Sequence, residues 1–178
     1  MTQLLDSDAI HGLLVDLDSE LVERGARAEL FLVGGAAMAL AFDTRRVTRD
    51  LDAVFAPTSV VRAAARTIAQ RRDLDEDWLN DAVKGFLPGE DSDRQHYFVG
   101  RALTVDVASP RYLLAMKLFA SRVEYDAADI ALLYRQLGFT TVDEGLDVVA
   151  TAYPSRPIAA KVPFLLEEIV ATLADRQT

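Results

Sequence analysis

Asp50 and Asp52 stand two residues apart in an otherwise apolar run that ends at Phe55. In an extended strand successive side chains point to opposite faces, so Leu51, Ala53 and Phe55 face one way and both carboxylates the other. Two carboxylates on one face are oxygen ligands suited to Mg²⁺, which keeps several waters and is held by one or two acids together with substrate phosphates. Upstream, Gly34-Gly35 separates the apolar run Leu30–Val33 from an alanine-rich stretch, about Ala36 to Phe42. A glycine pair between a strand and a helix lets the backbone approach a ligand closely. It also turns free N–H groups and the positive end of the helix dipole toward that ligand, which suits phosphate. Carboxylates for a metal and a turn for phosphate together point to nucleotidyl transfer.

Further chemistry-bearing residues follow. Asp106 lies on the polar face of a strand in which Leu103, Val105 and Val107 alternate with Thr104, Asp106 and Ala108. Lys117 sits in a helix that is apolar almost all round, on the stripe with Leu113 and Ala120. A lysine there either snorkels its ammonium to water or needs a partner. Asp126 and Asp129 continue the stripe of Ile130, Leu133 and Leu137 on the next helix. Asp126 in that place can serve as a cap, and Asp129 can pair with Lys117. Between Thr44 and Arg72 the arginines at 45, 46, 49, 62, 66, 71 and 72 face only Asp50 and Asp52. That excess of positive charge is either a solvated face or a patch for nucleotide phosphates or an RNA backbone. His11 reads as a surface histidine.

Gly34-Gly35 followed by Arg46-x-Thr48-x-Asp50-Leu-Asp52 resembles the pattern of the nucleotidyltransferases of the DNA polymerase β type. More narrowly it resembles the AbiEii/MenT-like toxin nucleotidyltransferases. The segments Ser109–Lys117 and Tyr125–Ile130 fit the later lysine and aspartate of that pattern, and the resemblance spans roughly residues 29 to 137. It implies a transferase that moves a nucleoside monophosphate from a nucleoside triphosphate to a hydroxyl acceptor and releases pyrophosphate. Asp50 and Asp52 would hold Mg²⁺, with Asp106 as a third ligand. Gly34, Gly35, Thr48, Arg46 and Lys117 would bind the nucleotide, and Lys117, Asp126 and Asp129 would join the two acids in catalysis. Thr48 would lie beside the metal and can itself be a target for phosphorylation, or is simply a turn hydroxyl. The family further implies the toxin of a toxin–antitoxin system that modifies tRNA, at the 3′ end, with an antitoxin protein as partner. Two rivals stand beside it: transfer to a small molecule such as an antibiotic, and a non-catalytic module that binds nucleotide or protein.

The elements that must position these residues can be read from periodicity. Ser7 to Arg24 predicts a first amphipathic helix. Strands are expected at Leu30–Val33, Asp50–Phe55, Gln95–Val99 and Leu103–Ala108, and a helix from Pro57 to about Arg72. Asp73 to Asp93 reads as a polar connection with a short helical stretch around Trp78 to Val83. Ser109-Pro110 starts a helix with its cap and N1 proline in place, running to about Ser121. Tyr125–Leu137 is the next helix, ended by Gly138, and two closing helices follow at Thr141–Ala152 and Ile158–Ala174. The expected fold is α/β, a small mixed β-sheet core covered by helices with a C-terminal helical bundle. The expected domains are a nucleotidyltransferase core at 1–109 and a helical region at 110–178 packed on it.

Composition bounds the alternatives. Of 178 residues, 51% are hydrophobic and 26% charged, which is ordinary for a soluble globular chain. There is no cysteine, so disulfides and thiolate metal sites are excluded. No leader and no membrane-length apolar run is visible, which predicts a cytoplasmic protein without a membrane partner. The net charge of −9 argues against broad, non-specific nucleic-acid binding.

Overall fold

The structure, a computed structural model, describes residues 3–43, 45–120 and 122–175. The chain divides into two compact units, Met1–Gly85 with Asp93–Ala108, and Phe86–Ser92 with Ser109–Thr178. The sequence puts the division at 109 to 110; the structure also gives Phe86–Ser92 to the second unit.

The first unit is a mixed sheet with helices on its apolar face. Its elements are α1 (Ser7–Glu23), β1 (Ala28–Leu32), α2 (Gly34–Ala41), β2 (Leu51–Ala56), α3 (Thr58–Arg72), β3 (Leu79–Asn80), a 3-10 turn (Ala82–Phe86), β4 (Gln95–Val99) and β5 (Leu103–Val107). The strand order is β3-β2-β1-β5-β4. β1 pairs antiparallel with β2 and parallel with β5, so Leu30 lies opposite Phe55 and Val105, and Leu32 opposite Ala53 and Val107. These residues form a continuous buried row. α1, α2 and α3 cover it with Leu14, Leu17, Met38, Val61 and Ile68, all buried. Alternation does the rest: Phe31, Asp52, Val54, Thr104 and Asp106 take the other face and are half-buried.

One element departs from expectation. The stretch around Trp78 is not helical. Trp78 is buried, and its indole N–H donates to the Ala65 carbonyl at 3.0 Å on α3. A large aromatic anchored by its polar tip fixes the chain locally, and the next two residues then pair in parallel with β2, Leu51 with Leu79 and Asp52 with Asn80. The 3-10 turn follows. The polar segment is thus an edge strand beside the acids rather than a plain connection.

The second unit consists of α4 (Pro110–Ala120), α5 (Val123–Leu137), α6 (Val142–Ala152) and α7 (Lys161–Asp175); the expected end of α4 at Ser121 lies outside the described residues. Ser109 caps α4, its hydroxyl oxygen accepting from the Tyr112 N–H at 3.3 Å, and Asp91 holds it by accepting from the Ser109 N–H at 2.7 Å and its hydroxyl at 2.9 Å. Tyr112 and Tyr153 donate to the carbonyls of Gly89 and Phe86 at 2.8 Å and 2.7 Å, which pins residues 86–92 to this unit. α6 opens with a capping box between Thr141 and Glu144, and the backbone N–H groups of Thr140 and Thr141 hold the Glu144 carboxyl below the usual carboxylate range. Gly145 makes room on α6 for the Tyr134 side chain of α5, since a β-carbon there would overlap the Tyr134 hydroxyl.

Candidate active site

The glycine turn and the acid strand are brought together. Val33 donates its N–H to the Asp52 carbonyl at 3.0 Å, which sets the end of β1 beside the start of β2. Gly34 then turns with φ +61, the left-handed region that favours glycine. A β-carbon on Gly34 would lie 3.0 Å from the Asp52 Oδ2. One on Gly35 would lie 2.8 Å from the Thr48 Oγ1. Both glycines are therefore needed for close approach, Gly34 to the carboxylate and Gly35 to the threonine.

Thr48 is tied down at both ends. Its backbone exchanges hydrogen bonds with Leu5 at 2.7 Å and 2.9 Å, and its hydroxyl donates to the Asp50 carbonyl at 3.0 Å. That hydroxyl bond closes the bend through Asp50, which precedes β2 by one residue. Asp50 is exposed and Asp52 half-buried. Arg46, on the connection leading in, donates its backbone N–H to the Asp43 carbonyl at 2.9 Å. Asn80, which sequence patterning does not single out, lies opposite Asp52 in the parallel register and donates its Nδ2–H to the Asp50 Oδ2 at 3.3 Å. A side chain on the Asp52 face that also reaches Asp50 places both acids on that face.

Asp106 stands apart from this group. It shares the sheet face, but β1 lies between β5 and β2. Its carboxylate is engaged by Arg94 Nε at 3.1 Å and by His96 Nδ1. Among the described residues no group of three or more His, Cys, Asp or Glu side chains is arranged to hold a metal ion. A role for Asp106 as third ligand rests on the sequence resemblance; the acids beside the glycine turn are Asp50 and Asp52.

Much of the arginine patch is ion-paired. Arg45 pairs with Asp43, Arg62 with Asp81, Arg71 with Glu20 and Glu23, and Arg72 with Asp16. Asp43 is held below the usual carboxylate range, first by the Arg45 backbone N–H. Among the described residues, Arg49 and Arg66 make no ion pair, and both are exposed. Acids distant in sequence, from α1 and the β3 segment, supply the partners that a local count of charge misses.

In the second unit Lys117, Asp126 and Asp129 form one buried cluster. The Lys117 ammonium lies 2.8 Å from Asp126 Oδ1 and 2.6 Å from Asp129 Oδ2, and Arg122 Nε reaches Asp126 Oδ2 at 3.4 Å. Lys117 is 9% exposed, Asp126 3% and Asp129 1%. Lys117 thus has the partners that its apolar stripe demands, and both aspartates face inward.

No protein-family model and no curated protein matches the sequence. Among solved structures, an antigenic nucleotidyltransferase-like protein from Paracoccidioides brasiliensis is similar over 98% of this chain and 91% of its own, with 13% identity and a TM-score of 0.40. A likeness this distant speaks to neither activity nor substrate. No described helix is long and apolar enough to cross a membrane.

Proposed function

We propose that the chain is a metal-dependent nucleotidyltransferase. The observation that carries this reading is the seat of Gly34 against Asp52: the turn that could take phosphate and the acid that could take a metal are in contact, with a β-carbon's width between them. The donor set fits Mg²⁺, because Asp50 and Asp52 offer hard oxygen ligands from one face and leave room for water and phosphate oxygens. When bound, Mg²⁺ would neutralise phosphate charge and favour loss of the acceptor's proton.

The chain's own residues have separable tasks in this account. Gly34 and Gly35 admit the triphosphate to the first turn of α2, whose N–H groups have no partner within the helix and suit an anion. Thr48 fixes the bend that presents Asp50. The acceptor hydroxyl forms a bond to the α-phosphorus as the bridging bond to the β-phosphate breaks, and pyrophosphate leaves in line. Lys117 is held by two carboxylates within its own unit and ties α4 to α5; its part toward the triphosphate rests on the sequence resemblance.

The acceptor in this reading is the 3′ end of tRNA, and the protein is the toxin of a toxin–antitoxin pair; the sequence resemblance supports it, together with Arg49 beside the acids. A second acceptor reading is a cationic small molecule such as an aminoglycoside. It is favoured by the −9 net charge and by the ion pairs that neutralise most of the arginine patch. The test is incubation with Mg²⁺, each α-labelled nucleoside triphosphate in turn, and either total tRNA or an aminoglycoside panel. Label on tRNA supports the toxin reading and label on the small molecule alone the second. Label on neither, with nucleotide bound, leaves a nucleotide-binding module.

A further inference from the structure

Asp50 lies outside the strand ladder and is exposed, so β2 alone does not fix its side chain. What reaches it is Asn80, whose Nδ2–H donates to Asp50 Oδ2 at 3.3 Å. The sense of the Asn80 amide is set from the other side. The backbone N–H of Ala82 donates to Asn80 Oδ1 at 3.2 Å, and an N–H can be met only by the carbonyl end of a carboxamide. The NH₂ end is then left toward Asp50.

The segment that carries Asn80 is itself clamped. Trp78 holds it on one side through the Ala65 carbonyl. On the other, Asp81 accepts from Arg62 Nη2 at 2.6 Å and Lys84 Nζ at 2.7 Å. Lys84 first and Arg62 second hold the Asp81 carboxyl below its usual range. The backbone pairing of Asp52 with Asn80 fixes the register, so the amide meets Asp50 while its own residue pairs with Asp52.

We infer that Asn80 is a positioning residue for the acid pair. It holds one oxygen of Asp50 with a neutral donor and leaves the other oxygen for a divalent cation, without adding charge. An aspartate there would crowd a third carboxylate onto the pair; a lysine or arginine would compete with the metal. This inference rests on the metal-binding reading of Asp50 and Asp52. It gives the β3 segment a task, and it assigns Arg62 to the support of that segment rather than to nucleic acid.

The test uses Mn²⁺ alone as the probe, titrated into the full chain and followed by the loss of the free-ion paramagnetic resonance signal. Asn80→Ala and Asn80→Leu are compared with the unaltered protein, each also in an Asp50→Asn background; two replacements are used so that either one that folds decides the matter. Residues that orient metal ligands typically contribute ten- to hundredfold in affinity, so a roughly tenfold or greater weakening is expected in either variant. In the Asp50→Asn background the same substitution should change Mn²⁺ affinity little, because the group it orients is gone. Weakening of equal size in both backgrounds, or none in either, overturns the role of Asn80 while the acid pair stands. Absence of Mn²⁺ binding by the unaltered protein overturns the acid pair as a metal site, and Asn80's role with it.

Discussion

Gly34 and Asp52, separated by 18 positions in the chain, meet so closely that a methyl group on the glycine would stand 3.0 Å from the aspartate's Oδ2. The contact joins the end of β1 to the start of β2, and with φ at +61 it makes any larger residue at 34 both strained and crowded.

Gly34→Ala should therefore act on both stability and the site. A left-handed backbone costs an L-residue about 1–2 kcal/mol, and the crowded carboxylate must shift as well. Calorimetry should show a clear fall in Tm, with a larger proportional loss of Mg²⁺-dependent nucleotide binding. Gly12→Ala is the contrast. Gly12 lies inside α1, and an added β-carbon there meets nothing within 4 Å. It should stabilise by about 0.5–1 kcal/mol.

Lys117→Met should be strongly destabilising, by roughly 3–5 kcal/mol, because it removes the ammonium that lies 2.8 Å and 2.6 Å from two buried carboxylates. Changing Asp126 and Asp129 to Asn in the same chain should recover most of that loss. Chemical denaturation of the single and triple variants checks it. A single variant as stable as the parent would mean that the cluster opens to water.

Alkaline pH should weaken the second unit. Burial pushes the Tyr134 and Tyr153 hydroxyls up from 10.0 to about 12 in each case. Below pH 10 these phenols are protonated whether the chain is folded or not. As pH rises from 10 toward 12 the unfolded chain releases protons that the folded chain keeps, so stability falls across that window. Tyr134→Phe should flatten the fall. Ultraviolet phenolate absorbance in native and denatured protein measures the two titrations directly.

If tRNA is the acceptor, Arg49→Ala with Arg66→Ala should weaken its binding and lower the slope of log affinity against log salt by about 1 for each phosphate no longer neutralised. Arg62→Ala should leave the slope unchanged, since Arg62 is committed to Asp81 at 2.6 Å. A slope that responds to Arg62 and not to Arg49 or Arg66 would reverse this assignment.

Much of the fold is legible because periodicity carries it. The alternation at Leu51–Phe55 and Leu103–Val107, and the apolar stripes of α1 and α5, place strands, helices and inward faces without reference to anything distant. The meeting of glycine turn and acid strand follows from the order of those elements. What the sequence hides is pairing between segments remote from each other. β3 is two residues long, too short for any period, and is made a strand by Trp78 docking on α3. Asn80 becomes informative only once β3 is seen beside β2. Asp106 matches a metal ligand by strand face alone, yet the strand order puts β1 between it and the pair. Arg62, Arg71 and Arg72 form a basic cluster along the chain, but Asp81, Glu20 and Asp16 arrive from other elements to neutralise them.

The central claim is that Asp50 and Asp52 bind nucleotide through a divalent cation, and isothermal titration of a nucleoside triphosphate with and without Mg²⁺ tests it most directly. The unaltered chain should bind one nucleotide only when Mg²⁺ is present. The variant carrying Asp50→Asn and Asp52→Asn should lose that binding, while its metal-free Tm stays equal or rises because two close like charges are relieved. Unchanged affinity in the double variant, or a cooperative loss of its fold without metal, would contradict the account.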